Sequence, residues 1–188
     1  MNMYIPSAYR RLKRGPQVIL PKDIGAIMAY TGVNKDSVCV DAGAGSGWLA
    51  VSLARAAKHV TTYEIRPEFV KIVEKNKENE KLDNLTIRNA DISKKIYEKD
   101  VDIITLDMPN SDKVVGKAHK ALKSGGFVVG YLPHMEQVKA FVSKLERYKF
   151  TNIFVAEIII RDMLVRKEGV RPSTKGVWHT AYLAFAQK

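Results

Sequence analysis

The sequence predicts an α/β fold: a doubly wound, mostly parallel β-sheet with helices on both faces. Along the 188 residues, short apolar runs alternate with amphipathic segments, which is the pattern of repeated strand–helix units. Residues 101–106 are almost all apolar, as expected for a strand buried on both faces of a parallel sheet. Gly43, Gly45 and Gly47 directly follow the first predicted strand. In such folds, ligands bind at the carboxyl ends of the strands, where loops of this kind lie.

The predicted helices have start and stop signals as well as an apolar period. Pro21 opens an amphipathic segment that Gly32 ends, because proline suits the first helical turn and glycine the position after the last. After the glycines, Leu49, Leu53 and Ala57 fall on one helical face. The predicted helices are 21–30, 47–57, 68–80, 114–122 and 134–148.

The predicted strands are the short apolar runs between and after these helices. The fourth helix ends at Ser124-Gly125-Gly126, which predicts a loop before the fifth strand. Only an irregular basic segment separates the last two strands, so we expect them to pair antiparallel. The seven predicted strands are 37–40, 59–64, 85–88, 101–106, 127–132, 153–160 and 178–186.

Composition indicates one globular domain. The sequence is 46% apolar and 27% charged, which excludes a disordered chain. No apolar run approaches the roughly 20 residues that span a bilayer, and no apolar segment follows the basic N-terminus as a secretory signal requires. The lone Cys39 cannot form an internal disulfide. We expect a cytoplasmic protein without a membrane partner, made of a basic N-terminal arm (1–14) and one domain (15–188).

The charge balance favours a polyanionic partner. Lys and Arg number 31 against 20 Asp and Glu, a formal net charge of +11. A solvated surface rich in lysine would explain part of this excess, but the basic residues also cluster, which favours nucleic acid. One cluster is Arg10, Arg11, Lys13 and Arg14; the other is Arg161, Arg166, Lys167, Arg171 and Lys175.

The spacing of the glycine loop distinguishes between two classes of cofactor. The dinucleotide fingerprint requires a small residue three positions after its second glycine, where the helix packs closely beneath a pyrophosphate. Counted from Gly45, that position holds Trp48, whose indole opposes such packing. Asp41 followed by three alternating glycines instead resembles the S-adenosylmethionine (SAM) loop of methyltransferases.

Acidic residues at the ends of neighbouring strands strengthen this interpretation. Asp41 ends the first strand and suits the cationic methionine end of SAM. Glu64 ends the second strand, where a carboxylate accepts both ribose hydroxyls, and Asp91 follows the third, near the expected adenine. Each acid taken singly is equally well an ordinary strand-end or turn residue. Together with the loop, they predict a Rossmann-like class I methyltransferase that uses SAM, with seven strands and an antiparallel C-terminal strand.

Asp107 is the candidate catalytic residue. It follows the fourth strand in Leu106-Asp107-Met108-Pro109, at the position that faces the reactive methyl group in this fold. Asp and Pro also favour turns, so a purely structural role is the alternative. In the functional interpretation, Asp107 lies beside the methyl acceptor.

The chain resembles the catalytic domain of the tRNA adenine-58 N1-methyltransferase family, over roughly residues 15–188. The resemblance rests on several short motifs in addition to the glycine loop. They are Gly15-Pro16-Gln17-Val18-Ile19-Leu20-Pro21-Lys22-Asp23, Tyr63-Glu64-Ile65-Arg66-Pro67, Leu106-Asp107, Tyr131-Leu132-Pro133 with Gln137-Val138, and the closing run Trp178-His179-Thr180-Ala181-Tyr182-Leu183-Ala184-Phe185.

The resemblance implies roles for individual residues. Asp107 would grip the target adenine, which must be flipped out to expose N1. Leu20 stands where the family places an aromatic residue or histidine near the cofactor. The residues expected to bind SAM are Gln17, Leu20, Asp41, Gly43, Ala44, Gly45, Ser46, Gly47, Glu64, Asp91, Ile92 and Asp107. Those expected to bind substrate are Tyr131, Arg161, Arg171 and His179.

The resemblance also implies tRNA as partner and a homotetramer. For His134 and His179, a helix cap or a satisfied core contact is the alternative to substrate binding. The four histidines and one cysteine are too scattered to predict a metal site. Two other functions stay open: methylation of an anionic small molecule such as a corrinoid precursor, and a non-catalytic methyltransferase-like partner subunit.

Overall fold

The computed structural model of the protein describes residues 4–15 and 17–188. Met1 to Met3 of the predicted arm, and Pro16 of the motif before the first predicted helix, lie outside the described residues. The α-helices are α1 (Ser7–Arg10), α2 (Pro21–Thr31), α3 (Trp48–Ala54), α4 (Pro67–Glu80), α5 (Val115–Ala121) and α6 (Met135–Arg147). A short 3-10 helix, Ser111–Val114, precedes α5.

Seven strands form one sheet in the order β3-β2-β1-β4-β5-β9-β6. The first five run parallel, and β9 pairs antiparallel with both β5 and β6. The predicted sheet, mostly parallel with an antiparallel C-terminal strand, is confirmed. The strands are β1 (Val38–Ala42), β2 (His59–Glu64), β3 (Leu85–Asn89), β4 (Val101–Leu106), β5 (Leu122–Leu132), β6 (Thr151–Glu157) and β9 (Tyr182–Gln187).

The sheet separates two apolar layers because successive side chains of a strand point to opposite faces. In β9, Leu183 packs into one layer and Ala184 into the other. The first layer contains the apolar faces of α2 and α3 with Val73 of α4, and the second contains those of α5 and α6. Helices therefore cover both faces of the sheet, as predicted.

Two local predictions were wrong. The predicted loop at Ser124-Gly125-Gly126 lies inside β5, which begins at Leu122 and shifts register against β4 between Val101 and Ile103. Gly125 has φ +78°, and a Cβ on Gly126 would lie 2.9 Å from the carbonyl oxygen of Val101. The glycines thus permit an irregularity within the strand instead of ending it.

The segment between β6 and β9 is not wholly irregular, contrary to the prediction. It contains a two-stranded hairpin, β7 (Met163–Arg166) and β8 (Gly169–Pro172), in which Val165 lies opposite Val170. Only two residues connect Arg166 to Gly169, a length that suits a tight hairpin turn. In the sequence, charged residues flank Val165 and Val170, so the strand pattern was not recognised there.

No helix among the described residues combines the length and apolar character needed to cross a bilayer. The described part of the N-terminal arm contains the one-turn helix α1. The arm packs on the first apolar layer through Leu12, with Ile5 and Tyr9 partly buried beside this layer.

Candidate active site

The glycine loop after β1 is held against the ends of two neighbouring strands. The N–H groups of Gly43 and Ala44 donate to the carbonyl oxygen of Tyr63 in β2, at 3.0 and 3.1 Å. On the other side, the N–H of Asp107 donates to the carbonyl oxygen of Ala42 at 2.8 Å. A Cβ on Gly43, which has φ +83°, would lie 1.8 Å from the carbonyl oxygen of Asp107. Glycine at position 43 therefore brings the loop and the end of β4 together.

A cleft that is open to solvent lies over this junction. Its walls combine the glycine loop, the extended segment before α2, the start of α3 and the end of β4. It is lined by Gln17, Val18, Ile19, Asp41, Gly43, Ala44, Gly45, Ser46, Trp48, Leu49 and Asp107. Most residues predicted to bind the cofactor are thus in one place.

Asp41 is buried at the floor of the cleft. Its two carboxylate oxygens accept hydrogen bonds from the hydroxyls of Thr62 and Thr105, each at 2.7 Å. Burial nevertheless raises the pKa of Asp41, and the negative charge of Glu64 adds to the rise. Two neutral hydroxyls therefore do not fully compensate the charge of this carboxylate.

Glu64 ends β2 and is tied to the loop. Its carboxylate accepts from the Gly45 N–H at 2.9 Å and from the backbone N–H and Nε of Arg66, both at 3.1 Å. Burial alone would raise the pKa of Glu64, but the hydrogen bonds from Arg66 and Gly45 outweigh burial and the pKa is lowered. Glu64 is therefore a stable anion next to the cleft, although it does not line it.

Asp107 lies at the edge of the cleft, half-buried among like charges. Burial raises the pKa of Asp107 to about 7, and the charges of Asp41 and Glu64 contribute to this rise while Arg66 opposes it. Three carboxylates thus converge where β1, β2 and β4 end. Such a cluster favours a cationic ligand, which would relieve the repulsion and lower the pKa of Asp107.

Asp91 and Ile92 follow β3, outside the residues that line the cleft. The Asp91 carboxylate accepts from the Ser93 N–H at 2.8 Å, and hydrogen bonding to Ser93 lowers the pKa of Asp91. Ile92 is buried in the second apolar layer. The Asn89 side chain ties this region to the end of β2 by donating to the Glu64 carbonyl oxygen at 2.8 Å.

Leu20 and Gly47 are predicted cofactor-binding residues that do not line the cleft. Leu20 is a buried residue at the N-cap of α2, and its neighbours Val18 and Ile19 face the cleft instead. Gly47 has φ +76° and packs against α4, where a Cβ would lie 2.8 Å from Val73. Both residues therefore shape the segments that line the cleft.

A buried polar network adjoins the site at the start of α2. Lys22 Nζ donates to Asp23 and to the Thr180 hydroxyl, both at 2.7 Å, and Thr180 donates to Asp23 at 2.9 Å. The hydroxyl of Tyr131, at the carboxyl end of β5, lies 3.5 Å from Asp23. Burial raises the pKa of Tyr131, as does the charge of Asp23. Tyr131 is therefore a neutral hydrogen-bond donor beside this network, outside the residues that line the cleft.

The other predicted substrate residues lie in or beside the segment that joins β6 to β9. Arg161 places its guanidinium 5.8 Å from the centre of the Trp178 ring, and Arg171 is exposed on β8. His179 contacts Glu157 at 2.5 Å and the Pro133 carbonyl oxygen at 2.9 Å. These two contacts raise the pKa of His179. His134 is the N-cap of α6, where its N–H donates to the Gln137 side chain at 3.0 Å.

Sequence reasoning missed four cleft residues. Val18, Ile19 and Leu49 carry no polar signal, and only their place beside the loop and the Pro21 boundary would have indicated them. Trp48 served only to exclude a dinucleotide, although it lines the cleft. The combined surface, an apolar wall beside clustered carboxylates, suits a ligand with both an apolar part and a positive charge.

Comparisons with known proteins converge on one group. Residues 10–171 match the family model described as tRNA methyltransferase complex GCD14 subunit. The tRNA (adenine(57)-N(1)/adenine(58)-N(1))-methyltransferase TrmI of Methanocaldococcus jannaschii is 40% identical, over 95% of this chain and 74% of its own length.

Two solved methyltransferase structures superpose closely on this chain. A SAM-dependent O-methyltransferase from Thermotoga maritima superposes with TM-score 0.91 and 37% identity, covering 98% of this chain and 72% of that one. The tRNA (m1A58) methyltransferase TrmI from Aquifex aeolicus gives TM-score 0.90 and 30% identity, over 98% and 76% of the two chains.

Proposed function

Because the chain belongs to the family of the tRNA methyltransferase complex GCD14 subunit, we propose that it is a SAM-dependent methyltransferase acting on N1 of adenine in tRNA, at a T-loop position of the type numbered 58. The observation that carries the proposal is the convergence of Asp41, Glu64 and Asp107 beside a glycine loop. The TrmI proteins that resemble this chain are named for this reaction.

The charge of the cleft supports SAM as the ligand. SAM supplies an electrophilic methyl group on a sulfonium, and its methionine end carries an ammonium. Asp41 and Asp107 line the cleft and offer the negative charge that these cations require. Glu64 would accept the ribose hydroxyls, and Asp91 with Ile92 would meet the adenine. Gln17 and the loop residues from Gly43 to Ser46 would enclose the methionine end, with Leu20 and Gly47 supporting these segments.

Asp107 would act on the acceptor adenine. N1 of adenine carries no proton, so the reaction requires orientation of the base and no strong general base. A carboxylate that accepts a hydrogen bond from the exocyclic amine would align N1 and stabilise the positive charge that develops on the ring. Only ionised Asp107 performs this role, and cationic SAM favours that form.

Basic and aromatic residues beyond the cleft would hold the tRNA. Tyr131 would contact the substrate; the contribution of the Asp107 charge to its raised pKa supports a position near that carboxylate. Arg161, Arg171 and His179 would contact the phosphate backbone, and the net charge of +11 supports such binding. The tRNA substrate and the lone free cysteine are consistent with a cytoplasmic location.

A homo-oligomer, with a tetramer as the expected form, is part of the proposal. Strand β6 lies at the edge of the sheet, and its Phe154 and Val155 are exposed. The nearby hairpin also exposes Met163, Val165 and Val170. An exposed apolar sheet edge of this kind favours association with a second copy of the chain. Light scattering measures the assembly directly.

The decisive experiment is methyl transfer from labelled SAM to unmodified tRNA transcripts, followed by nucleoside mass spectrometry. We expect N1-methyladenosine, and its loss from a transcript with guanine in place of the target adenine. If another methylated nucleoside appears instead, the methyl acceptor is a different atom from N1 of adenine. SAM binding without RNA methylation would favour the anionic small molecule, and a lack of SAM binding would favour a non-catalytic subunit.

A further inference from the structure

His179 connects the ends of the two strands that flank β9. Its Nδ1 contacts the Glu157 carboxylate at 2.5 Å, and its Nε2 contacts the Pro133 carbonyl oxygen at 2.9 Å. Glu157 is the last residue of β6, and Pro133 directly follows β5. Since β9 pairs with both strands, these two contacts, named the His179 bridge, join the place where β5 and β6 end and β9 begins.

Both partners of His179 are hydrogen-bond acceptors. A carbonyl oxygen has no proton, and a carboxyl group ionises well below the pH at which an imidazole does. Satisfying both contacts therefore requires an N–H on each ring nitrogen, which is the cationic imidazolium form. The hydrogen bonds to Glu157 and Pro133 raise the pKa of His179, whereas burial and the charge of Lys22 on α2 oppose the rise. The Tyr182 ring packs beside the imidazole, with 4.9 Å between ring centres.

The bridge closes the base of a basic segment, residues 158–178. The chain leaves β6 after Glu157 and returns to the same place at His179. The segment has five basic and two acidic residues, a net charge of +3 (5 − 2). Its strand β8 is exposed along its whole length, and within the segment the Ser173 N–H donates to the Asp162 carbonyl oxygen at 2.7 Å. Because the segment is exposed and bonded to itself, its orientation depends on how its two ends are held.

We propose that protonated His179 is a positioning residue, which fixes the basic segment beside the candidate active site for a polyanionic RNA. The proposal rests on the proposed function, since it takes tRNA as the ligand. Thr180, the next residue, donates to Asp23 at 2.9 Å, and Tyr131 precedes Pro133 by two positions. The bridge therefore lies next to the buried polar network that adjoins the cleft. The bridge is present at low pH and is lost as the pH rises through the raised pKa of His179, so RNA affinity should fall over that range.

Replacement of Glu157 distinguishes a bridge from a simple contact between His179 and a phosphate. Glu157→Gln removes one negative charge, so electrostatics alone predicts tighter tRNA binding. Loss of the bridge predicts weaker binding, by about fivefold, the effect of an exposed ion pair. Fluorescence anisotropy with labelled, unmodified tRNA at pH 6 measures the affinity. Glu168→Gln is the matched control, because Glu168 is exposed in the hairpin turn of the same segment, and it should bind tRNA at least as tightly as the wild type.

The bridge can also be measured without RNA. In protein with 15N-labelled histidine, an NMR titration should show that the pKa of His179 falls in Glu157→Gln and not in Glu168→Gln. Amide hydrogen exchange of the basic segment at pH 6 should be about fivefold faster in His179→Gln than in the wild type. This difference should shrink as the pH rises, because the wild type then loses the bridge as well.

Three results would each overturn the proposal. They are tRNA binding by Glu157→Gln as tight as by Glu168→Gln, an unchanged pKa of His179 in Glu157→Gln, and equal exchange of the basic segment in His179→Gln and the wild type. Failure of the wild type to bind tRNA would instead overturn the proposed function. The titration and the exchange rates would still decide whether His179 holds the segment.

Discussion

Asp23 and Asp41 are both buried carboxylates that accept a hydrogen bond from a threonine, yet the charged groups around them are of opposite sign. Asp23 has Lys22 at 2.7 Å, and the side chains of this pair are 0% and 2% exposed. Asp41 has two threonine hydroxyls, and its charged neighbours Glu64 and Asp107 are themselves acids. One carboxylate is neutralised within the fold, whereas the other belongs to an acidic cluster.

The difference separates a structural charge from a functional one. A buried charge is tolerated in the folded protein when an opposite charge and hydrogen bonds compensate for the lost hydration. The Asp23 site meets this condition with residues of the chain alone. The cleft site has Arg66, which is engaged with Glu64, and would be completed by a cation from outside. The incomplete compensation is therefore what suits the cleft to a cationic cofactor.

Replacing Lys22 should have the largest effect on stability. Lys22→Met keeps the length of the side chain but leaves Asp23 buried without its cation. We expect a loss of about 3–5 kcal/mol in the free energy of unfolding, measured by urea titration.

The chain offers a matched control in a second Lys-Asp dipeptide. Lys35 and Asp36 also form an ion pair, at 2.9 Å, but their side chains are 86% and 77% exposed. Lys35→Met should change stability by less than about 0.5 kcal/mol. A similar loss in both variants would contradict the comparison, whereas recovery of stability in Lys22→Met with Asp23→Leu would sharpen it.

Asp107→Ala tests the other side of the comparison. We expect turnover to fall by about two to three orders of magnitude, the usual effect of losing one group that stabilises developing charge. SAM binding should persist with at most about tenfold weakening, and the free energy of unfolding should not decrease, because the substitution removes repulsion from Asp41 and Glu64. Single-turnover kinetics, calorimetry and urea titration measure these three quantities.

Asp107→Asn separates charge from shape at the same position. It retains a hydrogen-bond acceptor of the same size but lacks the negative charge. If the charge is what orients the adenine, Asn and Ala will lose similar amounts of turnover. Wild-type turnover in either variant would remove Asp107 from the mechanism.

The Lys-Asp dipeptides at 22–23 and 35–36 also indicate what the sequence could predict. Strands β2 and β4 lie at the residues predicted for them, because the sequence signal of a strand is local. The convergence of Asp41, Glu64 and Asp107 was predictable too, since parallel topology brings strand ends together. The burial of Lys22 and Asp23 was not, because it depends on Thr180, which is 158 positions from Lys22. In sequence, the dipeptides at 22–23 and 35–36 are identical.

Trp48 and Gly43 illustrate the same limit within the site. The sequence indicated that glycine was needed in the loop, but not that position 43 must admit the backbone of Asp107 from a strand distant in sequence. Likewise, the buried indole N–H of Trp48 has no hydrogen-bond partner, a feature that becomes evident only when burial and all neighbouring acceptors are known. Packing between distant segments determines both features, and local patterns do not encode it.

The pH dependence of SAM affinity is the finest test of the comparison. The pKa of Asp107 is raised to about 7 in the free protein, so this carboxyl is mostly protonated at pH 6 and mostly ionised at pH 8. A cationic ligand binds the ionised form better, so affinity should rise with pH, by up to about tenfold between pH 6 and 8, and level off above. Proton release on binding, measured by calorimetry in buffers of different ionisation enthalpy, should be largest below pH 7.

Asp107→Asn should flatten the pH profile of SAM affinity between pH 6 and 8. If the Asp107→Asn profile keeps its slope, the titrating group is Asp41 instead, because burial also raises the pKa of Asp41. The carboxylate at the floor of the cleft would then be the one that responds to the cation.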